Sequence, residues 1–143
     1  MILPDINLLI HAHNSDSPRH AAARGWWDAK LAGSEGVGLA WVVILGFIRI
    51  TTHASVLTNP WRPDEALSRI EEWLALPHFF IPQPSDRHFE RLKSLLEQAG
   101  TAGNLTTDAH LAALATERGL ILETTDADFA RFPGLKWRNP LTT

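Results

Sequence analysis

Residues 105–129 run LTTDAHLAALATERGLILETTDADF and hold, in order, a helix, its stop, a strand and an acidic turn. Leu111, Ala112 and Ala115 recur at helical spacing, so Leu105 to Glu117 is predicted as an alanine-rich helix with that stripe inward. Gly119 is its stop, and the apolar run after it predicts a strand over Leu120 to Thr124. Asp108 lies on the inward stripe where the helix begins, and Asp126 and Asp128 follow the strand. An acid in a first helical turn favours the helix dipole, but the dipole does not explain why it should face inward.

The same alternation recurs toward the N-terminus. Ser85 onward predicts an amphipathic helix with Phe89, Leu92, Leu95 and Leu96 on one stripe, closed by Gly100 and Gly103. Phe79 to Ile81, bounded by prolines, reads as a short strand. Arg62-Pro63-Asp64 opens a helix in which Leu67, Ile70, Trp73 and Leu74 share a face, and Pro77 ends it. Trp41 to Thr52 is apolar and β-branched, a pattern periodicity cannot divide between helix and strand; its length favours a helix. Val37 to Ala40 reads as a strand. Ser17-Pro18 predicts a helix start, serine as N-cap and proline at the first position, running through Ala21 to Leu31 until Gly33. Ile2 to Ile6 reads as the first strand. Strands alternating with helices predict one α/β domain over residues 1–143, built on a mainly parallel sheet. Ligands of such sheets collect beyond the carboxyl ends of the strands, where Asp5 and Asp126 both lie.

Composition narrows the chemistry. With no cysteine in 143 residues, disulfides, thiolate zinc sites and cysteine nucleophiles are excluded. The apolar start is short, broken by Pro4 and Asp5 and preceded by no basic residue, so it is not read as a signal peptide. The longest apolar stretch, Leu39 to Ile48, is about half of a membrane span. A cytoplasmic protein is expected. The net charge of −3 names no partner. Arginines outnumber lysines, but Arg19, Arg24, Arg49, Arg62, Arg69, Arg87 and Arg91 are expected mainly on a solvated exterior rather than in one phosphate-binding patch. The histidines, including His11, His13, His53 and His110, fall into no convincing metal-ligand spacing. Trp26 and Trp27 are adjacent, so one is expected outside the core, at a subunit contact or on the surface.

The four aspartates remain. Asp5 sits among Leu3, Ile6, Leu8 and Leu9, and a charge inside so apolar a segment needs a specific partner: a cation, the next helix, or an arginine. Asp126 and Asp128 suit a capped turn and a shared oxygen-ligand site about equally. If the segments converge, their carboxylates cannot all stay ionised unless a cation neutralises them. Thr107 and Thr125, each beside an acid, are candidates to orient a ligand or to cap. A D-x-D phosphatase or a phospho-accepting receiver domain would place its acids after the first strand, where Asp5 stands alone.

The ordered motifs D-x-N (Asp5 to Asn7), T-D-A-x-x-A-A-L-A (Thr107 to Ala115) and T-T-D-x-D-F (Thr124 to Phe129) resemble those of PIN-domain ribonucleases, most closely the VapC toxins of type II toxin–antitoxin pairs. The segments LGFIRITTH (Leu45 to His53) and FPGLKWRNP (Phe132 to Pro140) resemble one subgroup of those toxins. The resemblance implies a three-layer α/β/α domain with a short parallel sheet. It implies Mg²⁺ or Mn²⁺ held by Asp5, Asp108 and Asp126, with Asp128 beside them as a further candidate, and metal-dependent hydrolysis of RNA. It also implies a homodimer and a VapB-like antitoxin through which promoter DNA is bound. One family acid, a glutamate, is replaced by Gly46. The resemblance therefore carries an alternative, a PIN-fold binding module of weakened activity.

Overall fold

The computed structural model describes residues 1–142. Its elements are β1 (Ile2–Pro4), α1 (Ile6–His13), α2 (His20–Ala32), β2 (Val37–Gly38), α3 (Trp41–Thr51), α4 (Pro63–Leu74), β3 (Phe79–Phe80), α5 (His88–Ala99), α6 (Thr106–Arg118), β4 (Ile121–Glu123) and β5 (Trp137–Arg138). The strands form one sheet in the order β3-β2-β1-β4-β5, every pairing parallel.

That order creates the location of the site. From β1 the chain steps to β2 and on to β3 through α1–α4, then crosses back past β1 to β4 through α5 and α6. Right-handed crossovers in opposite directions lay their helices on opposite faces. Accordingly α1 packs with α2 and α3, α3 with α4, and α5 with α6, giving a three-layer α/β/α fold. Strand order reverses between β1 and β4, the position where open α/β sheets bind ligands at their carboxyl edge. Ile2, Leu3 and Leu122 are fully buried at this centre. Trp27 is wholly buried and meets Trp73 and Phe79 edge-on at 5.1 and 5.6 Å, joining α2 to α4 and β3.

Several predicted boundaries shift for local reasons. The first strand stops at Pro4 rather than Ile6, because Asp5 caps α1, which takes Ile6 as its first residue. Neither Ser17 nor Ser85 caps a helix directly. The Ser17 hydroxyl accepts the Arg19 N–H at 3.1 Å and Ser85 that of Arg87 at 3.2 Å, so each closes a serine turn and the helix begins at His20 or His88. Phe89 is 73% exposed rather than inward. At that turn His88 takes the inward place, donating Nδ1–H to the Glu117 carboxylate and sharing a hydrogen bond with His110, and Leu92, Leu95 and Leu96 continue its stripe. Trp26 is half-buried, tilted against Trp27 at 5.3 Å and donating to Glu123 Oε1 at 3.0 Å; it is neither spare nor outside. Glu123 is itself buried between Trp26, Arg138 (2.6 Å) and Lys30 (3.8 Å), tying β4 to β5 and α2. The arginines spread out: Arg24, Arg62 and Arg87 pair with Asp28, Asp64 and Glu90, and Arg69 lies over the Trp61 ring. Among the described residues no helix is long and apolar enough to cross a membrane.

Candidate active site

Asp5 leaves β1 with extended backbone (φ −79°, ψ 156°), and its Oδ1 accepts the Ile6 N–H at 2.7 Å. Oδ2 accepts the Thr124 hydroxyl at 2.7 Å. The residue is only 4% exposed. Burial raises its carboxyl pKa; the bonds from Thr124 and Ile6 oppose that rise, and repulsion from Asp126 adds to it. Capping and ion binding are compatible here, since a carboxylate has about four lone-pair positions and these two bonds use two.

Thr124 is fully buried, one residue beyond β4, and joins the strand ends. Its hydroxyl donates to Asp5 and accepts the Asp126 N–H at 3.0 Å. Asp126 Oδ1 in turn accepts the Asp128 N–H at 2.8 Å and caps a short 3₁₀ turn, Ala127–Arg131. The capped-turn reading of TTDADF is therefore correct for the backbone, and Asp128 is exposed on that turn. The hydroxyl engaging Asp5 and Asp126 belongs to Thr124, not to Thr107 or Thr125, the residues that precede Asp108 and Asp126. Strand alternation was the available signal: Leu122 and Thr124 lie two apart, on one side of the strand.

Asp108 is the third residue of α6 and half-buried. Its carboxyl is pushed up to about 6, first by burial and then by repulsion from Asp5, Asp126 and Asp128. The other acids therefore lie near enough to act on Asp108, on the side of the sheet where β1 and β4 end. His110, two residues on, turns away to pair its Nδ1 with His88 Nε2 at 2.8 Å, while His88 Nδ1 meets Glu117 at 2.8 Å; this chain fastens α5 to α6. His13, likewise outside the site, gives Nδ1–H to the Leu9 carbonyl at 2.7 Å.

Among the described residues no three His, Asp or Glu side chains stand close enough to enclose an ion by themselves. The donor set nevertheless suits a hard divalent cation: it is all oxygen, carries unrelieved negative charge, and Mg²⁺ takes few protein ligands because it keeps several waters. Position 46 faces the Ile6 side chain. A Cβ built on Gly46 would lie 3.4 Å from Ile6 Cγ1, in ordinary contact with the residue after Asp5. No residue of α3, WVVILGFIRIT, supplies a carboxylate there.

The PIN domain family matches residues 2–135. Ribonuclease VapC33 of Mycobacterium tuberculosis is 40% identical over 141 residues, covering 99% of each chain. Ribonuclease VapC37 of the same organism is 38% identical over 140 residues, covering 98% of this chain and 97% of its own. In fold, the chain is similar to VapBC2 from Rickettsia felis, solved bound to a DNA fragment from its promoter, with a TM-score of 0.69, 19% identity and coverage of 97% and 98%. With matches spanning almost its whole length, the chain belongs to the PIN domain family, among the VapC proteins.

Proposed function

We propose that this protein is a toxin of the VapC type, hydrolysing RNA phosphodiester bonds with the help of a divalent cation, Mg²⁺ or Mn²⁺. The observation that carries the reading is the joining of two acids at the neighbouring ends of β1 and β4, where the buried Thr124 hydroxyl donates to buried Asp5 and accepts the Asp126 N–H, with the Asp108 carboxyl raised by burial and by repulsion from the other aspartates. Charge held together in this way is relieved by a cation. Asp5, Asp108 and Asp126 would hold the ion, with Asp128 at the outer edge. When bound, the cation supplies Lewis acidity, acidifying a water and neutralising phosphoryl oxygens. Thr124 favours the ionised form of Asp5 by donating to it, against the burial that raises its pKa, and aligns Asp126 through the backbone. Without the cation the same acids repel a phosphodiester, so dependence on metal follows from the electrostatics of this site.

Its relatives' names support the activity, and the Rickettsia felis assembly supports an antitoxin of the VapB kind that brings the pair to promoter DNA. A cytoplasmic homodimer completes the reading. Gly46 favours a second one, a PIN-fold binding module with weakened catalysis, because α3 adds no acid beside Asp5. The deciding experiment is cleavage of a mixed structured-RNA substrate by antitoxin-free protein with Mg²⁺, Mn²⁺ or EDTA, alongside Asp5→Asn and Asp108→Asn variants of verified fold. Metal-dependent cutting lost in both variants is expected. Absence of both cutting and calorimetric metal binding would leave the binding module.

A further inference from the structure

The turn that Asp126 caps carries a cation as well as an acid. In a 3₁₀ turn such as Ala127–Arg131, residues three apart stand on the same side. Phe129 and Phe132 keep that spacing on the inner side: both are buried, their rings 5.9 Å apart, and they pin the turn to the core. Asp128 and Arg131 keep it on the outer side, where both are exposed. Asp128 repels the Asp108 carboxyl at the start of α6, so this outer side is turned toward the acids. A separate contact agrees. Arg131 Nη2 donates to the Ala99 carbonyl at 3.5 Å, at the end of α5, and the chain runs from there through residues 100–105 directly into α6.

Among the described residues this guanidinium forms no ion pair, not even with Asp128. The cations nearest to it in sequence are engaged or remote. Arg138 is held by Glu123 at 2.6 Å, and Lys136 precedes β5 and so lies toward the amino edge of the sheet. Arg118, at the far end of α6, donates to the Gln83 carbonyl at 2.7 Å. The bond from Arg131 to Ala99 is at the long limit of hydrogen bonding and is given up at little cost. Four carboxylates around one divalent cation keep a net negative charge, so an RNA chain that reaches them needs a cation of the protein on its path. Guanidinium is the side chain that holds a phosphate through two parallel N–H bonds. We propose that Arg131 binds the RNA backbone, taking a phosphate next to the one presented to the acids and so fixing which bond lies over them. This substrate-binding role rests on the ribonuclease reading above.

Fluorescence anisotropy with a labelled single-stranded RNA of mixed sequence, in EDTA, reads binding apart from cutting. The background is Asp108→Asn, which carries less repulsive charge. There Arg131→Gln should weaken binding about fivefold for every sequence, and lower the slope of log affinity against log salt by about 0.7, the share of one phosphate on a single strand. Arg131→Lys should keep the slope and recover part of the affinity, because the charge stays and the fork is lost. Arg118→Gln should change neither. In the cutting assay with Mg²⁺, Arg131→Gln should raise KM more than it lowers kcat. A role confined to holding the end of α5 predicts a lower melting temperature with affinity and slope unmoved; that result, or no RNA binding at all, would overturn the assignment. Binding that weakens at Arg131 in a wild-type protein that cuts no RNA would support it and overturn the ribonuclease reading instead.

Discussion

Replacing Asp108 with asparagine should make the metal-free protein more stable while removing its activity. The Asp108 carboxyl stands at about 6, against 3.8 for the unperturbed group. A carboxyl raised in the folded state binds more protons there than when unfolded, so stability falls as pH rises from about 4 through 6. Two units correspond to at most about 3 kcal/mol at neutral pH. Asp108 is only half-buried, so water and salt screen the repulsion, and about half that figure is reasonable. Asparagine forgoes the favourable charge at the start of α6, about 0.5 kcal/mol. The net expectation is a gain of about 1 kcal/mol, or roughly 3 °C for a domain of this length. The assay is calorimetric melting of wild type and Asp108→Asn in EDTA at pH 7.5 and pH 4. The variant should melt higher at pH 7.5, and the advantage should vanish or reverse at pH 4. Millimolar Mn²⁺ should then raise the wild-type melting temperature and leave the variant nearly unmoved. An asparagine variant that melts lower than wild type at pH 7.5 without metal would refute the convergence of charge on which the site rests.

Other outcomes follow from the same geometry. Thr124→Val strips the buried hydroxyl from Asp5 and Asp126, and should lower stability by about 2 kcal/mol and weaken Mn²⁺ binding, read by denaturant unfolding and calorimetry. Gly46→Glu should fold, because its Cβ meets Ile6 at an ordinary 3.4 Å; about tenfold tighter Mn²⁺ binding is expected, and unchanged affinity would show that position 46 does not face the acids. His13→Leu should flatten the acid side of the stability profile. The partly buried imidazole is lowered to about 4, and among the described residues its Nε2 has no hydrogen-bond partner. The unfolded chain therefore takes up a proton that the native state refuses, and wild type loses up to about 3 kcal/mol as pH falls from 6.5 toward 4. Urea unfolding across that range would detect it, and an equally steep variant would contradict the assignment.

Much of this was readable one residue at a time. The stripe of Leu111, Ala112 and Ala115, the stop at Gly119 and the apolar run after it are local patterns, and α6 and β4 follow them closely. Asp5 and Asp108 stood out because an acid on an apolar face needs a partner. Short-range competition was harder to see. Ser17 and Ser85 have the chemistry of helix caps, yet each closes a turn with a backbone N–H two residues on. The β5 strand, Trp137–Arg138, is set by pairing with Leu122 and Glu123 rather than by its own composition.

The sequence by itself determined which groups this protein has available: carboxylates, no thiols, and a helix–strand alternation that brings Asp5 and Asp126 to strand ends. Only the tertiary structure decided their company. Thr124 lies 119 residues from Asp5 and reaches it because β1 and β4 are neighbours, a pairing no local pattern encodes. Asp108 becomes a weaker acid only because partial burial and repulsion from Asp5, Asp126 and Asp128 act on it in the fold. Charge repulsion and desolvation depend on distance in space, so a chain of letters states the charges and the fold states their energies.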